Sequence, residues 1–108
     1  MKNAYKTRED IALAREIISC PGDTLAEHLE YTGITQAELA EQMSRPKRII
    51  NEIIQGTAQL TTETALQLER VVGIPGSFWV ERERRYRLRL AEIDEAEKRL
   101  AEVEREKI

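Results

Sequence analysis

The 108-residue chain is 41% hydrophobic and 34% charged, with a formal net charge of −3. That supports one small domain with at most an appendage, and a small core. At 5% aromatic residues, that core is expected to be aliphatic and helical. A single cysteine, Cys20, excludes an intrachain disulfide and a four-cysteine metal centre, and no apolar run reaches the roughly 20 residues of a membrane helix. With one cysteine a reduced, cytoplasmic home is expected, and the N-terminus lacks a signal peptide's apolar stretch. The acidic total argues against wholesale polyanion binding. It leaves room for a local basic surface, because screening over about 10 Å makes the near field count most.

Residues 1–20 read as an N-terminal extension. Glu9-Asp10 followed by Ile11, Ala14 and Ile18 has helical spacing, while Ile17-Ile18 fits the end of a short strand. Pro21-Gly22 breaks what precedes it. Asp23 or Thr24 then opens a helix that buries Leu25 and Leu29 and stops near Gly33. Thr35-Gln36-Ala37-Glu38 has the capping-box pattern, and its helix carries Ala37, Leu39, Ala40 and Met43. Another helix runs from the Ser44-Arg45-Pro46 stretch to Gly56. A further one opens at Thr61-Thr62-Glu63, carries Ala65, Leu66, Leu68, Val71 and Val72, and ends at Gly73. After Pro75-Gly76 a long polar helix follows. No sustained alternation of apolar and polar residues occurs, so the fold is expected to be all-α, with four short helices and one long one.

The segment Met43 to Gly56, MSRPKRIINEIIQG, carries the functional signal. Ser44 or Arg45 caps its helix; because the residue before a proline avoids the α region, Arg45 is the favoured boundary and Pro46 the first helical residue. At about 100° per residue, Ile49, Ile50, Ile53 and Ile54 share one side. Arg48, Asn51 and Gln55 share the other, aligned with Ser44, with Arg45 and Glu52 on one edge and Lys47 on the opposite edge. The isoleucines hold the helix down, and an outward strip of guanidinium and amide groups remains. Arginine and asparagine have the fork geometry that reads guanine and adenine edges in a DNA major groove. A solvated face is the plain alternative for such a strip. The short turn to the preceding helix favours a helix-turn-helix, in which the second helix enters the groove and Gln36 reaches a phosphate.

These residues carry a resemblance. Pro21 to Leu25, Gly33 to Ala40, Arg45-Pro46, Ile50 to Ile53 and Gly56 resemble the xenobiotic-response-element (XRE) family of helix-turn-helix domains, which are lambda-repressor-like. Leu60 to Val71, Gly73 and Ser77-Phe78-Trp79 are similar to a narrower branch, the HigA-type antitoxins. The resemblance covers residues 21 to about 88. It implies a five-helix DNA-binding domain over 21–80 that dimerises, binds an inverted repeat in its own promoter and neutralises a ribonuclease toxin. It also implies that Gln36 touches phosphate while Arg45, Lys47, Arg48 and Asn51 face the groove. The sequence departs from the family in having Cys20 where histidine often precedes Pro-Gly, and Thr62 where proline often follows the helix-opening threonine.

Phe78 and Trp79 are expected to plug the end of the core. Residues 81–108 contain no glycine or proline, and Arg82, Arg84, Arg85, Arg87 and Arg89 form a cationic stretch best read as glutamate-compensated surface. Tyr86, Leu90, Ile93, Ala96, Leu100 and Val103 step nearly as a heptad seam. That stripe must meet another surface: the same helix of a second subunit, a partner toxin, or the rest of a longer regulator with a zinc-peptidase-like domain.

Two functional classes compete: a DNA-binding repressor that is also an antitoxin, and an interaction module whose helix-turn-helix is only a scaffold. Catalysis is not expected. His28 is the only histidine, Cys20 has no recognisable histidine partner, and no phosphate loop, HExxH or Gly-x-Ser-x-Gly occurs. No metal or cofactor is expected.

Overall fold

The computed structural model describes residues 5–107, and all of their regular structure is helical. The six helices are α1 (Arg8–Ile17), α2 (Pro21–Thr32), α3 (Gln36–Met43), α4 (Lys47–Gln55), α5 (Thr62–Val72) and α6 (Gly76–Glu106). The all-α expectation holds, with a long C-terminal helix. Helices α2 to α6 supply the anticipated five, and α1 is an addition. No helix of the described residues is long and apolar enough to cross a membrane.

The chain divides into two compact units. One is Ser19–Arg85; the other joins residues 5–18 to residues 86–107. The sequence placed boundaries near 20 and 81. What it did not reveal is that the N-terminal extension and the C-terminal half of α6 pack together.

In the larger unit, α2 and α3 pack on α4, and α3 packs on α5. Their shared core is Leu25, Leu29, Leu39, Ala40, Met43, Ile50, Ile53, Leu60, Ala65, Leu68 and Trp79. Trp79 is fully buried and closes this core, as expected, whereas Phe78 meets it edge-on and stays partly exposed. Two helix starts differ from expectation. Pro21 is itself the first residue of α2, and the Asp23 carboxylate accepts from the Cys20 N–H at 3.2 Å. Proline costs nothing there because its missing N–H would lack a partner anyway. Pro46 caps α4 with an extended ψ of 142°, so helix begins at Lys47, one residue later than anticipated. The capping box at Thr35 and Glu38 forms as expected, with the Glu38 N–H donating to Thr35 Oγ1 at 3.1 Å and the Thr35 N–H to Glu38 Oε1 at 3.3 Å.

The start of α2 sits against the end of α4 through Gly22. A Cβ at that position would overlap the carbonyl oxygen of Ile53 and lie 2.5 Å from the Ile54 Cα. Arg82 of α6 holds the same corner, donating to the carbonyls of Ser19 and Cys20, both at 2.9 Å, and to Thr24 Oγ1 at 3.3 Å.

In the smaller unit, the strand alternative at Ile17-Ile18 gives way to a helix over Arg8–Ile17, while residues 1–4 of the N-terminal extension lie outside the described residues. Thr7 and Asp10 form a reciprocal capping box, with Glu9 and Asp10 in the first turn to suit the dipole. Ile11, with Ala14 and Ile18 beside it, covers Ile93, Ala96 and Leu100 of α6. This corrects the reading of Ile93 and Leu100 as partner-contact residues of the seam. Ile93 is fully buried against the chain's own first helix, and Leu100 is packed beside it. Arg15 bridges to Asp94 at 2.9 Å and Glu97 at 3.3 Å, and Arg8 pairs with Glu104.

Gly22→Ala is expected to destabilise the larger unit by about 1–3 kcal/mol, although alanine is the better helix former by about 1 kcal/mol. A drop in the urea midpoint of helical circular dichroism is the readout; an unchanged or raised midpoint would contradict the close approach.

Candidate nucleic-acid interface

The candidate interface is built from the α3–turn–α4 pair. Helix α3 ends at Ser44, the one non-glycine residue with positive φ (54°) among the described residues. Two backbone bonds tie the turn: the Ser44 N–H reaches the Glu41 carbonyl at 3.1 Å and the Arg45 N–H reaches the Ala40 carbonyl at 2.9 Å. With Pro46 extended, α4 leaves at a new angle after three residues. Its C-terminal end is set by Gly56 in the left-handed region (φ 80°), where a side chain would be strained.

Roll about the α4 axis is fixed by burial. Ile50 and Ile53 are buried, and Ile49 and Ile54 pack partly against the same core. Lys47, Arg48, Asn51 and Gln55 are consequently exposed, as is Ser44, while Gln36 at the start of α3 is half-buried. The sequence-derived strip therefore exists as an outward face. Asn51 Nδ2 donates to Gln36 Oε1 at 3.3 Å, bringing the start of α3 and the middle of α4 together.

Arg45 departs from the strip. Its side chain is only 24% exposed; Nε donates to Gln67 Oε1 at 2.8 Å and a terminal nitrogen lies 3.7 Å from Glu63. These contacts bind the turn to α5, so Arg45 braces the motif in place of pointing from it. Nothing local in the sequence marks this, because its partners lie about twenty residues away. Arg48 also has a partner that spacing alone did not rank: NH1 donates to both oxygens of Glu52, at 3.1 and 3.3 Å.

Electrostatics distinguish α4 from the other short helices; α6 also lacks an acid in its first turn. Helices α1, α2, α3 and α5 each carry an acidic residue in the first turn, where the positive end of the dipole favours it. Helix α4 has none, receives no side-chain cap, and opens with Lys47 and Arg48. Cations at that end oppose helix stability and concentrate positive potential, which suits phosphates.

The later arginines are used internally. Arg84 Nε and NH2 donate to Glu81 at 3.0 and 2.7 Å, and Arg85 Nε donates to it at 3.1 Å. The Arg84 hydrogen bond, then that of Arg85, lowers the Glu81 carboxyl to about 2. In the other unit Arg89 lies 3.3 Å from Glu92, and Arg87 stacks over the Tyr86 ring at 4.9 Å. The reading of this stretch as compensated surface fits, except that Arg82 is a structural clasp.

No protein-family model matches the chain. Virulence-associated protein I of Dichelobacter nodosus is 33% identical over 75 residues, covering 68% of this chain and 69% of that protein. An addiction module antidote protein of the HigA family from Coxiella burnetii aligns in structure with a TM-score of 0.68 at 26% identity, covering 79% of this chain and 92% of that one. The chain belongs to the family of virulence-associated protein I, and its structure is similar to that of a HigA-type antidote. Among its features, the HigA-type reading rests on the larger unit, whose Gly33 to Gly56 stretch forms the helix-turn-helix described above.

Because Arg45 is braced and Arg48 is 71% exposed, their truncations should differ in the free protein. Arg45→Ala is expected to cost about 1–2 kcal/mol of stability, and Arg48→Ala at most about 0.5 kcal/mol. Urea unfolding of the two variants checks this; equal midpoints would contradict the brace.

Proposed function

We propose that this HigA-type chain is a non-enzymatic, cytoplasmic antitoxin that also represses transcription, binding an inverted repeat in its own promoter as a homodimer and neutralising a ribonuclease toxin. The observation that carries the DNA reading is α4 itself: a helix rolled by buried isoleucines so that Lys47, Arg48, Asn51 and Gln55 face out, at an uncapped cationic N-terminus. The antidote name of the Coxiella burnetii relative supports the toxin-neutralising part.

In this reading α4 lies in the major groove. Arg48 and Asn51 address base edges, with Lys47 and Gln55 beside them, and Gln36 and Ser44 meet the phosphate backbone. Arg45 acts through the turn it braces. One such motif makes too few base contacts for useful specificity, so a dimer reading two half-sites about 34 Å apart is required. With Ile93 and Leu100 packed on α1, the residues of the seam left for a second subunit or toxin are Val103, which is 45% exposed, and the half-buried Leu90 and Tyr86.

An interaction module that leaves DNA alone is the second reading. It is favoured by the internal bonds that already engage Arg48 and Asn51. A neighbouring reading frame encoding a small basic ribonuclease-like protein would support the antitoxin part.

Binding to the upstream DNA is expected to weaken steeply with salt, as phosphate neutralisation requires. Arg48→Ala should cost about 1–3 kcal/mol and relax preference at one base position, whereas Gln36→Ala should weaken all sequences alike. If neither substitution changes binding, the groove assignment is wrong.

A further inference from the structure

The Arg48–Glu52 pair is a poor choice for either of the duties its position offers. As a helix-stabilising pair it runs in the weaker order, with the acid C-terminal to the base. As part of a phosphate-facing surface, a carboxylate repels the ligand. Yet the contact is well formed. Both Glu52 oxygens accept from the same terminal nitrogen of Arg48, at 3.1 and 3.3 Å, and the Glu52 side chain is about half as exposed as that of Arg48, 37% against 71%. The Glu52 backbone is itself held, its carbonyl accepting from Thr57 at 3.0 Å and Ala58 at 3.2 Å where α4 ends. Glu52 is thus the less exposed partner of the pair, on a backbone held at the end of α4.

The geometry at Arg48 shows what the contact does. A guanidinium has five N–H donors. Binding through NH1 alone leaves the edge formed by Nε and NH2, which presents two parallel donors, the pattern that pairs with guanine O6 and N7. It also restricts the side chain before any ligand arrives, which reduces the ordering cost of docking.

We propose that Glu52 is a positioning residue for base reading: its carboxylate holds Arg48 by one nitrogen and aims the remaining guanidinium edge at a guanine. This inference rests on the DNA-reading role of α4. Its signature is a pair of opposite effects. Removing Glu52 frees Arg48 and weakens binding to the preferred sequence, and removing a negative charge beside phosphates strengthens binding to every other sequence.

The test uses the full chain, with a duplex selected from a randomised library by the wild-type protein and a scrambled duplex of the same composition. Glu52→Ala is expected to lower affinity for the selected duplex about tenfold while raising affinity for the scrambled one, and to relax preference at the same base position as Arg48→Ala. On the selected duplex the double variant is expected to bind no more weakly than Arg48→Ala alone. Glu52→Gln, which keeps an acceptor without the charge, is expected to fall between wild type and Glu52→Ala on the selected duplex. Affinity rising alike for both duplexes, or strictly additive effects of the two alanine substitutions, overturns the inference while leaving the DNA reading intact. Selection that enriches no sequence, with equal wild-type affinity for both duplexes, overturns the DNA reading and the inference together.

Discussion

Burial of Ile50 and Ile53 sets the orientation on which the rest of the interface depends. Each removes its side chain from water, a gain of about 1.5–3 kcal/mol apiece, and together they leave one rotational setting of α4 that satisfies both. The flanking Ile49 and Ile54 narrow that setting. Gly22 adds a positional stop at the far end, since the absence of a side chain there lets the α2 backbone reach α4 directly. At the near end the left-handed Ser44 and extended Pro46 set the exit direction, and Arg45 ties that turn to α5. The outward residues are held by what lies beneath and at each end of the helix.

Charge is distributed by the same economy. An acidic chain can carry a local basic patch when cations elsewhere are engaged, and several are. Arg8 and Arg15 meet carboxylates, Arg84 and Arg85 share Glu81, and Arg82 turns to backbone carbonyls. Lys47 and Arg48 open a helix without an acid in its first turn, and the one carboxylate that pairs with Arg48, that of Glu52, lies a turn further along the same helix. The net charge of −3 therefore says little about the field in front of α4.

What was legible from residues follows from how local each signal is. The Thr35 capping box, the glycine stops and the two faces of α4 are patterns within a few residues, and the structure has them. The helix at residues 8–17 was half legible. Its apolar spacing is helical and Ile17-Ile18 also fits a strand end; Thr7-Arg8-Glu9-Asp10 is a capping sequence that decides for the helix. Long-range pairings left no trace. The contacts of Arg45 with Gln67, Arg82 with Ser19 and Cys20, and Ile11 with Ile93 join residues 22 to 82 positions apart, with no periodicity to betray them. The seam was legible as a stripe, but that α1 covers its middle was not, because a stripe specifies that it must be covered, not by what.

Cys20 lies at the corner where α2 meets α4, 8% exposed, with its thiol donating to the Ile54 carbonyl at 3.6 Å. A thiol so enclosed is inert toward oxidants and alkylating reagents while the corner stays shut. Its modification rate therefore measures how often that corner opens, giving a single-site chemical clock for local unfolding next to α4.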